Sequence, residues 1–205
     1  MSVGIVNYGL GNIRSLANAI KYGTGTQPLL IESEKDVLKC STLFLPGVGS
    51  YAAGMRKLNA PRFKFLLQNY HENGGKIVGI CLGMQLLFSK SNEGGGFTNG
   101  LNLMRGVVDR LATSEDLFER IPSIGWYKTR VSENSSFSEF NEENFYYVHS
   151  YHCIPENTKF IAGYYKRDAQ NVSSIIQNGN LYGFQFHPEK SGEIGIELLK
   201  KVCDD

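Results

Sequence analysis

The stretch Lys76–Ser89, KIVGICLGMQLLFS, decides the fold that we expect for this chain. It predicts a buried strand over 77–80, a cysteine at a sharp turn, and a helix over 84–88. Gly79 and Gly83 flank Cys81 as in a nucleophile elbow, where small neighbours let a strained nucleophile project from the top of an α/β sheet. A helix N-terminus there favours the nucleophilic thiolate. The alternative is an ordinary buried cysteine, so a functional interpretation requires a base elsewhere in the chain.

Length and composition predict a single domain over residues 1–205 with a sizeable core, since 41% of the residues are hydrophobic and 20% are charged. A formal net charge of +1 gives no reason to expect nucleic acid or an anionic membrane as a partner. We expect no secretion signal and no membrane span. The four cysteines lack metal-ligand spacing, so we expect a cytoplasmic protein with free thiols and no metal or cofactor.

The first half of the chain alternates strands with helices. Strands are predicted at 3–7, 28–32, 41–45 and 77–80, with helices after an N-cap at Asn12 and over 34–38, 52–58 and 62–73. This alternation predicts an α/β fold with a doubly wound, mostly parallel central sheet flanked by helices.

The second half is dominated by short strand-like runs separated by turn residues. These runs are 104–110, 124–131, 145–150, 160–165, 172–178 and 181–186, the last two joined by the hairpin signal Asn178-Gly179-Asn180. We expect the C-terminal half to add antiparallel strands to the sheet or to fold over its edge, and a helix over 191–203 to close the chain.

A base for Cys81 stands at the end of the last predicted strand, in His187-Pro188-Glu189. Residues i and i+2 of an extended segment face the same side, so the Glu189 carboxylate can hold one imidazole nitrogen while the other faces the thiol. Both Cys81 and His187 follow strand ends, where an α/β sheet places its sites. Together the three side chains predict a nucleophile, a base and an acid that orients the base.

Two other histidines compete for this role. His149 and His152 could form a second catalytic pair or bind a metal ion. Neither has an acid or a cysteine at ligand spacing, so zinc is not expected and a structural role is the better interpretation of each.

With the cysteine and the base in place, the chain resembles the class I (triad-type) glutamine amidotransferases. The resemblance is carried by Pro46-Gly47-Val48-Gly49, Gly79-Ile80-Cys81-Leu82-Gly83-Met84-Gln85 and His187-Pro188-Glu189. Within that family the chain is similar to the glutaminase subunits of imidazole glycerol phosphate synthases of histidine biosynthesis. The motifs that support the narrower resemblance are at 7–12, 46–49, 93–94 with 100–101, 147–151 and 185–191.

The resemblance implies hydrolysis of L-glutamine to glutamate and ammonia through a thioester. Cys81 would attack the side-chain amide. His187 would take the thiol proton and pass it to the departing ammonia, and Glu189 would orient His187.

The same resemblance implies how the substrate is held. The oxyanion would be bound by the backbone amide of Leu82 and by an amide of the glycine loop, after a change in the conformation of that loop. Judged by itself, a PGxG sequence is an ordinary turn. The implied oxyanion and substrate-binding residues are Gly47, Val48, Gly49, Leu82, Gln85, Ser150 and Tyr151.

A partner is implied as well, because ammonia released into water would be protonated and lost. In the resembled family the partner is a (β/α)₈-barrel cyclase, which makes imidazole glycerol phosphate and AICAR as part of a heterodimer. Lys190 matches an interface lysine of the family, and Asn12, Trp126 and Tyr146 are further interface candidates. For Trp126, packing in the core is an equal alternative.

One segment departs from the family pattern. The usual Pro-His-Met-Gly-Trp-Asn, which lies at the partner face in the family, is here Pro122-Ser123-Ile124-Gly125-Trp126-Tyr127. This leaves open a paralogue that supplies ammonia to another synthase, such as a sugar-amidating enzyme of surface-polysaccharide synthesis. A silent interaction protein and a cysteine peptidase or isomerase are the other classes. The intact triad disfavours the first, and Gln85 with the glycine loop disfavours the second.

Overall fold

The structure, a computed structural model, describes residues 2–59, 63–112, 120–168 and 170–204. The strands in this part of the chain are β1 (Val3–Val6), β2 (Leu29–Ile31), β3 (Thr42–Leu45), β4 (Lys76–Ile80), β5 (Phe88–Ser91), β6 (Thr98–Asn99), β7 (Met104–Arg110), β8 (Ser123–Val131), β9 (Glu143–His149), β10 (Tyr151–Pro155), β11 (Ile161–Arg167), β12 (Gln170–Asn178) and β13 (Leu181–Phe184). The α-helices are α1 (Ile13–Thr24), α2 (Glu34–Val37), α3 (Tyr51–Asn59), α4 (Phe63–Glu72), α5 (Leu82–Leu86) and α6 (Gly192–Asp204). Short 3₁₀ turns cover Ser138–Phe140, Thr158–Phe160 and Pro188–Lys190.

A nine-stranded sheet in the order β2-β1-β3-β4-β13-β12-β11-β8-β9 organises the protein. The strands from β2 to β13 in this order are parallel neighbours, and the remaining pairs are antiparallel. A second sheet has the order β10-β7-β5-β6. The predicted fold class is confirmed, and the second half adds antiparallel strands to the central sheet as expected, namely β8, β9, β11 and β12, while β7 and β10 belong to the separate sheet.

Helices cover both faces of the parallel strands, which explains why those strands are apolar at nearly every position. On one face, Val78 and Ile80 of β4 belong to the same apolar cluster as Leu16 of α1 and Leu198 of α6. On the other face, Ile77 belongs to the cluster that contains residues of α3, α4 and α5. No helix among the described residues has the length and apolarity needed to cross a membrane.

Several local predictions need correction. The helix predicted over 84–88 is α5, which starts directly after Cys81 and ends at Leu86, while Phe88 begins a strand. A short, continuously apolar run does not reveal by its periodicity where a buried helix gives way to a buried strand. β6 and β10 were not predicted. Asn12 precedes α1 as predicted, but its side chain makes no capping hydrogen bond. Arg62, where the helix before the elbow was predicted to begin, lies outside the described residues.

Gly83 has the closest packing in the elbow, and its replacement tests the fold. A Cβ atom on Gly83 would lie 1.7 Å from the carbonyl oxygen of Leu45, a backbone atom of β3. We expect Gly83→Ala to lower the free energy of unfolding by about 3 kcal/mol, because β3 and α5 must separate. Urea denaturation measures this change.

Gly96→Ala is the matched control. A Cβ atom on Gly96 would meet nothing within 4 Å, so its stability should stay within about 0.5 kcal/mol of the parent. Equal stability of the two variants would contradict the close approach of β3 and α5.

Candidate active site

Cys81 lies between β4 and α5 in a strained backbone conformation, with φ 53° and ψ −111°. Positive φ is uncommon for a residue with a side chain and is concentrated at functional sites. Glycine neighbours permit it, since a Cβ atom on Gly79 would lie 2.6 Å from the backbone of Met84. The amide of Cys81 donates to the carbonyl of Phe184 at 2.7 Å. The structure thus places the cysteine in a strand-turn-helix elbow tied to the neighbouring strand β13.

His187 and Glu189 are in contact, with 2.8 Å between Nδ1 of the imidazole and Oε1 of the carboxylate, and both side chains are buried. The reason differs from the predicted one. The residues after His187 are not extended but form the 3₁₀ turn Pro188–Lys190, which brings the carboxylate to the ring. Nε2 of His187 is buried and has no hydrogen-bond partner among the described residues. That nitrogen is therefore available to the thiol, which lines the same cavity.

Opposing effects set the pKa of His187. Burial disfavours the charged imidazole and alone would lower the pKa. Interactions with Cys81, in its thiolate form, and with the Glu189 carboxylate outweigh burial and raise the pKa to about 10. An imidazolium held beside a thiolate is the arrangement that activates a cysteine nucleophile.

A cavity of about 360 Å³ opens above the elbow. It brings together eight of the ten residues predicted to act in catalysis or substrate binding. The other two do not line the cavity: Glu189 contacts His187, and Gly47 is buried. The lining consists of Val48, Gly49, Cys81, Leu82, Gln85, Glu93, Pro122, Val148, His149, Ser150, Tyr151 and His187. A larger cavity of about 650 Å³ lies elsewhere, near Lys64 and Lys90, and none of the predicted catalytic residues lines it.

The glycine loop packs directly on the elbow, which an isolated turn would not do. A Cβ atom on Gly47 would lie 2.7 Å from the Tyr8 hydroxyl and 2.9 Å from the amide nitrogen of Gly83. The Tyr8 hydroxyl donates to the carbonyl of Pro46 at 2.7 Å. Burial, and then the nearby Cys81, raise the pKa of Tyr8, so this hydroxyl keeps its proton. Gly49, with φ +97°, lets the loop turn at the cavity.

Two polar side chains at the cavity, Glu93 and Gln185, were not among the predicted site residues. Glu93 lines the cavity, and its Oε2 accepts a hydrogen bond from the backbone N–H of Tyr51 at 2.5 Å. Gln185 is fully buried, and its Nε2 donates to Sγ of Cys81 at 3.8 Å. Both residues belong to motifs quoted for the family resemblance, at 93–94 and 185–191. That was the available signal, but it did not show which atoms the side chains contact.

His149 is held by its neighbours as a neutral structural side chain. Its Nδ1 donates to the carbonyl of Tyr151 at 2.8 Å, and its Nε2 accepts from the hydroxyl of Tyr165 at 2.9 Å. Burial is the main cause that lowers the pKa of His149 to about 3. Burial also lowers the pKa of His152, whose Nε2 lies 3.1 Å from Nε2 of Gln170. These contacts agree with the structural roles expected for both histidines.

Three of the predicted interface residues form one surface, which we call the edge cluster: Trp126, Tyr146 and Lys190. The rings of Trp126 and Tyr146 meet edge to face at 5.9 Å, and Nζ of Lys190 lies 5.8 Å from the centroid of the Tyr146 ring. Trp126 is 55% exposed, so the alternative that it packs in the core is wrong. Asn12 is exposed at the start of α1, which packs against the turn that contains Lys190.

His149 is expected to lower the stability of the folded protein at acid pH. Because its pKa is about 3 in the folded state and near 6.5 when unfolded, the unfolded chain binds more protons between these values. The stability present above pH 6.5 is therefore lost as the pH falls, at about 1.4 kcal/mol per pH unit from this residue. Urea denaturation at pH 7 and pH 5 measures the loss. His149→Phe should be less stable at pH 7 but lose less on acidification, and an unchanged pH dependence would contradict the assignment.

Comparison with known proteins places these residues in context. Residues 7–203 match the family model of glutamine amidotransferase class-I. The chain is 34% identical over 201 residues to imidazole glycerol phosphate synthase subunit HisH of Prochlorococcus marinus, covering 97% of this chain and 96% of that one. It is 39% identical over 199 residues to HisH of Bacillus cytotoxicus, covering 96% and 91%. It is 38% identical over 202 residues to the chloroplastic imidazole glycerol phosphate synthase hisHF of Arabidopsis thaliana, covering 97% of this chain but 33% of that protein.

Solved structures agree on the fold. A crystal structure of a glutamine amidotransferase superimposes with a TM-score of 0.74 at 16% identity, covering 100% of both chains. The structure of PurLQS from Thermotoga maritima gives 0.70 at 21% identity, covering 99% of this chain and 97% of that one. At these identities the similarity supports the architecture alone.

Proposed function

The chain belongs to the class I glutamine amidotransferase family, and we propose that it is the glutaminase subunit of an imidazole glycerol phosphate synthase. The observation that most supports glutamine hydrolysis is the arrangement of Cys81, His187 and Glu189. A strained cysteine shares a cavity with a histidine whose other nitrogen lies 2.8 Å from a buried carboxylate. The relatives that are 34–39% identical carry the name of this synthase. They favour it over a sugar-amidating paralogue.

In the proposed reaction the Cys81 thiolate attacks the γ-carboxamide carbon of L-glutamine. The negative charge that develops on the amide oxygen is stabilised by the backbone amide of Leu82, directly after the nucleophile, and by an amide of the loop 47–49, which packs against the elbow at Leu82 and Gly83. The His187 imidazolium then protonates the amide nitrogen, the carbon–nitrogen bond breaks, ammonia departs, and the glutamyl group remains on Cys81 as a thioester. Neutral His187 then removes a proton from a water molecule that attacks the thioester, so that glutamine and water become glutamate and ammonia.

The cavity lining matches the two ends of the substrate. The two amide hydrogens of Gln85 are directed to the carbonyl of Tyr151, at 2.9 Å, and to Oε1 of Gln185, at 3.1 Å. Its carbonyl oxygen is therefore the group left to accept a hydrogen bond from the substrate amide. The carboxylate of Glu93 suits the α-ammonium group, and the backbone of Ser150 and Tyr151 suits the α-carboxylate end.

The edge cluster is proposed to bind the partner, a (β/α)₈-barrel cyclase that receives the ammonia in a heterodimer. Trp and Tyr side chains are enriched among the residues that contribute most to the binding energy of interfaces. Ile124, 56% exposed in the segment that departs from the family pattern, extends this surface. The matched region makes up 33% of the Arabidopsis relative, and the remaining length there offers room for an acceptor domain in the same chain.

We further propose that residues 1–205 act as one domain in the cytoplasm. The two halves of the chain share one sheet, because β13 lies between β4 and β12. The four cysteines Cys40, Cys81, Cys153 and Cys203 are free thiols, which suits a reducing compartment.

Cys81→Ala tests the proposed chemistry. In the complex with the cyclase partner, glutamate release and glutamine-dependent product formation should fall to background, because no nucleophile remains. Product formation with added ammonium salt should persist, since the acceptor site lies on the partner. Loss of both activities would mean that Cys81 is structural, and retention of glutamine-dependent turnover would rule out Cys81 as the nucleophile.

Trp126→Ala tests the proposed partner surface. Truncating an exposed aromatic residue at the centre of an interface should weaken the complex by about 2 kcal/mol, which is roughly 30-fold in Kd. Calorimetric titration with the cyclase measures this change. Phe97, 70% exposed and outside the edge cluster, gives the control variant Phe97→Ala, which should bind like the parent. Equal affinities of the two variants would place the interface elsewhere.

A further inference from the structure

We infer that Gln185 positions and stabilises the Cys81 thiolate, an inference that rests on the proposed glutaminase function. Gln185 is fully buried, immediately after β13, with its Nε2 at 3.8 Å from the cysteine sulfur. A buried amide costs free energy unless its groups are hydrogen-bonded. Both ends of this amide have a partner, since Oε1 accepts a hydrogen bond from Gln85 and Nε2 donates one to the sulfur.

The orientation of the Gln185 amide is set by Gln85. A side-chain amide fits its site in two orientations that exchange the oxygen and the NH₂ group, and its hydrogen-bond partners determine which orientation is correct. Nε2 of Gln85 donates to Oε1 of Gln185 at 3.1 Å and also to the carbonyl of Tyr151 at 2.9 Å. Because a donor from Gln85 fixes the oxygen end of Gln185, the NH₂ end of Gln185 is the end that faces the sulfur.

The sulfur has a different partner in each of its protonation states. As a thiol, Cys81 can donate its hydrogen to the carbonyl of Val148 at 3.9 Å. As a thiolate it only accepts, so this carbonyl loses its role and the N–H of Gln185 becomes the matching partner. Hydrogen bonds to ionised acceptors are about twice as strong as neutral ones. Gln185 therefore favours the ionised sulfur in both halves of the reaction, as the attacking nucleophile and as the leaving group when the thioester is hydrolysed.

The titratable groups around the sulfur differ in whether they favour its ionised form. His187, oriented by Glu189, supplies a positive charge from the turn after β13. Burial raises the pKa of Tyr8, in the loop after β1, and of Cys153, in β10, so both remain protonated. His149 and Glu93 also line the cavity, and neither places a positive charge beside the sulfur, since burial keeps His149 neutral. Among these groups His187 favours the thiolate, through its positive charge. The Gln185 amide adds a second favourable interaction, through its N–H donor.

Alkylation of Cys81 by iodoacetamide tests the inference without glutamine or partner. The rate constant is measured by mass spectrometry of the peptide that contains Cys81, between pH 5 and pH 10. Gln185→Met removes both hydrogen bonds and should slow alkylation about tenfold at neutral pH, moving the pH profile about one unit upward. Gln185→Glu keeps an oxygen for Gln85 but removes the donor and adds a negative charge, so it should slow alkylation further.

Gln177→Met, on β12 and hydrogen-bonded to Ser136, is the matched control and should alkylate like the parent. Gln85→Met should slow alkylation less than Gln185→Met, and the double variant should be less than additive, because Gln85 acts through Gln185. Thermal denaturation checks that each variant folds. If Gln185→Met does not fold, the alkylation profile of Gln185→Glu tests the inference in its place. Parental pH profiles in both Gln185 variants would overturn the inference. Absence of glutamate release by the parent complex would instead refute the proposed function, whatever the alkylation profiles show.

Discussion

The structure depends on the close approach of the elbow helix α5 to the sheet at Cys81. Gly79 and Gly183 are neighbours in register on β4 and β13. A Cβ atom on Gly79 would lie 2.6 Å from the Met84 backbone, and one on Gly183 would lie 2.6 Å from the Met84 side chain. Two adjacent glycines thus form the groove in which the first turn of α5 rests. This packing stabilises the positive φ of Cys81, a strain of about 1–3 kcal/mol, and directs its sulfur toward the cavity.

The parts of the site that could be predicted from the sequence are those that local patterns determine. The alternation of strands and helices predicted the parallel half of the sheet, and the glycines around Cys81 predicted the elbow. The contact between His187 and Glu189 was also predicted, although from an extended segment rather than from the 3₁₀ turn that produces it. Long-range contacts could not be predicted. The end of α5 before Phe88, the exposure of Trp126 and the hydrogen bond from Gln185 to Cys81 each depend on elements distant in the sequence.

The cavity also shows that environment, rather than residue type, decides how each histidine behaves. His149 and His187 line the same space, yet burial lowers the pKa of the first to about 3 while the partners of the second raise its pKa to about 10. The difference lies in the neighbours, since His149 bonds to a carbonyl and a hydroxyl and His187 bonds to a carboxylate. Such divergence between similar groups is how one site assigns a structural role to one group and acid-base chemistry to another.

In the proposed reaction, Cys81 carries the glutamyl group as a thioester. The most direct measurement is acid quenching of the complex with its cyclase partner during turnover of L-glutamine, followed by mass spectrometry of the peptide that contains Cys81. We expect a γ-glutamyl adduct on that cysteine, at higher occupancy in Glu189→Gln, in which His187 is less well held for the hydrolysis of the thioester. Glutamate release without any adduct on Cys81 in either protein, or an adduct on another residue, would contradict this role of Cys81.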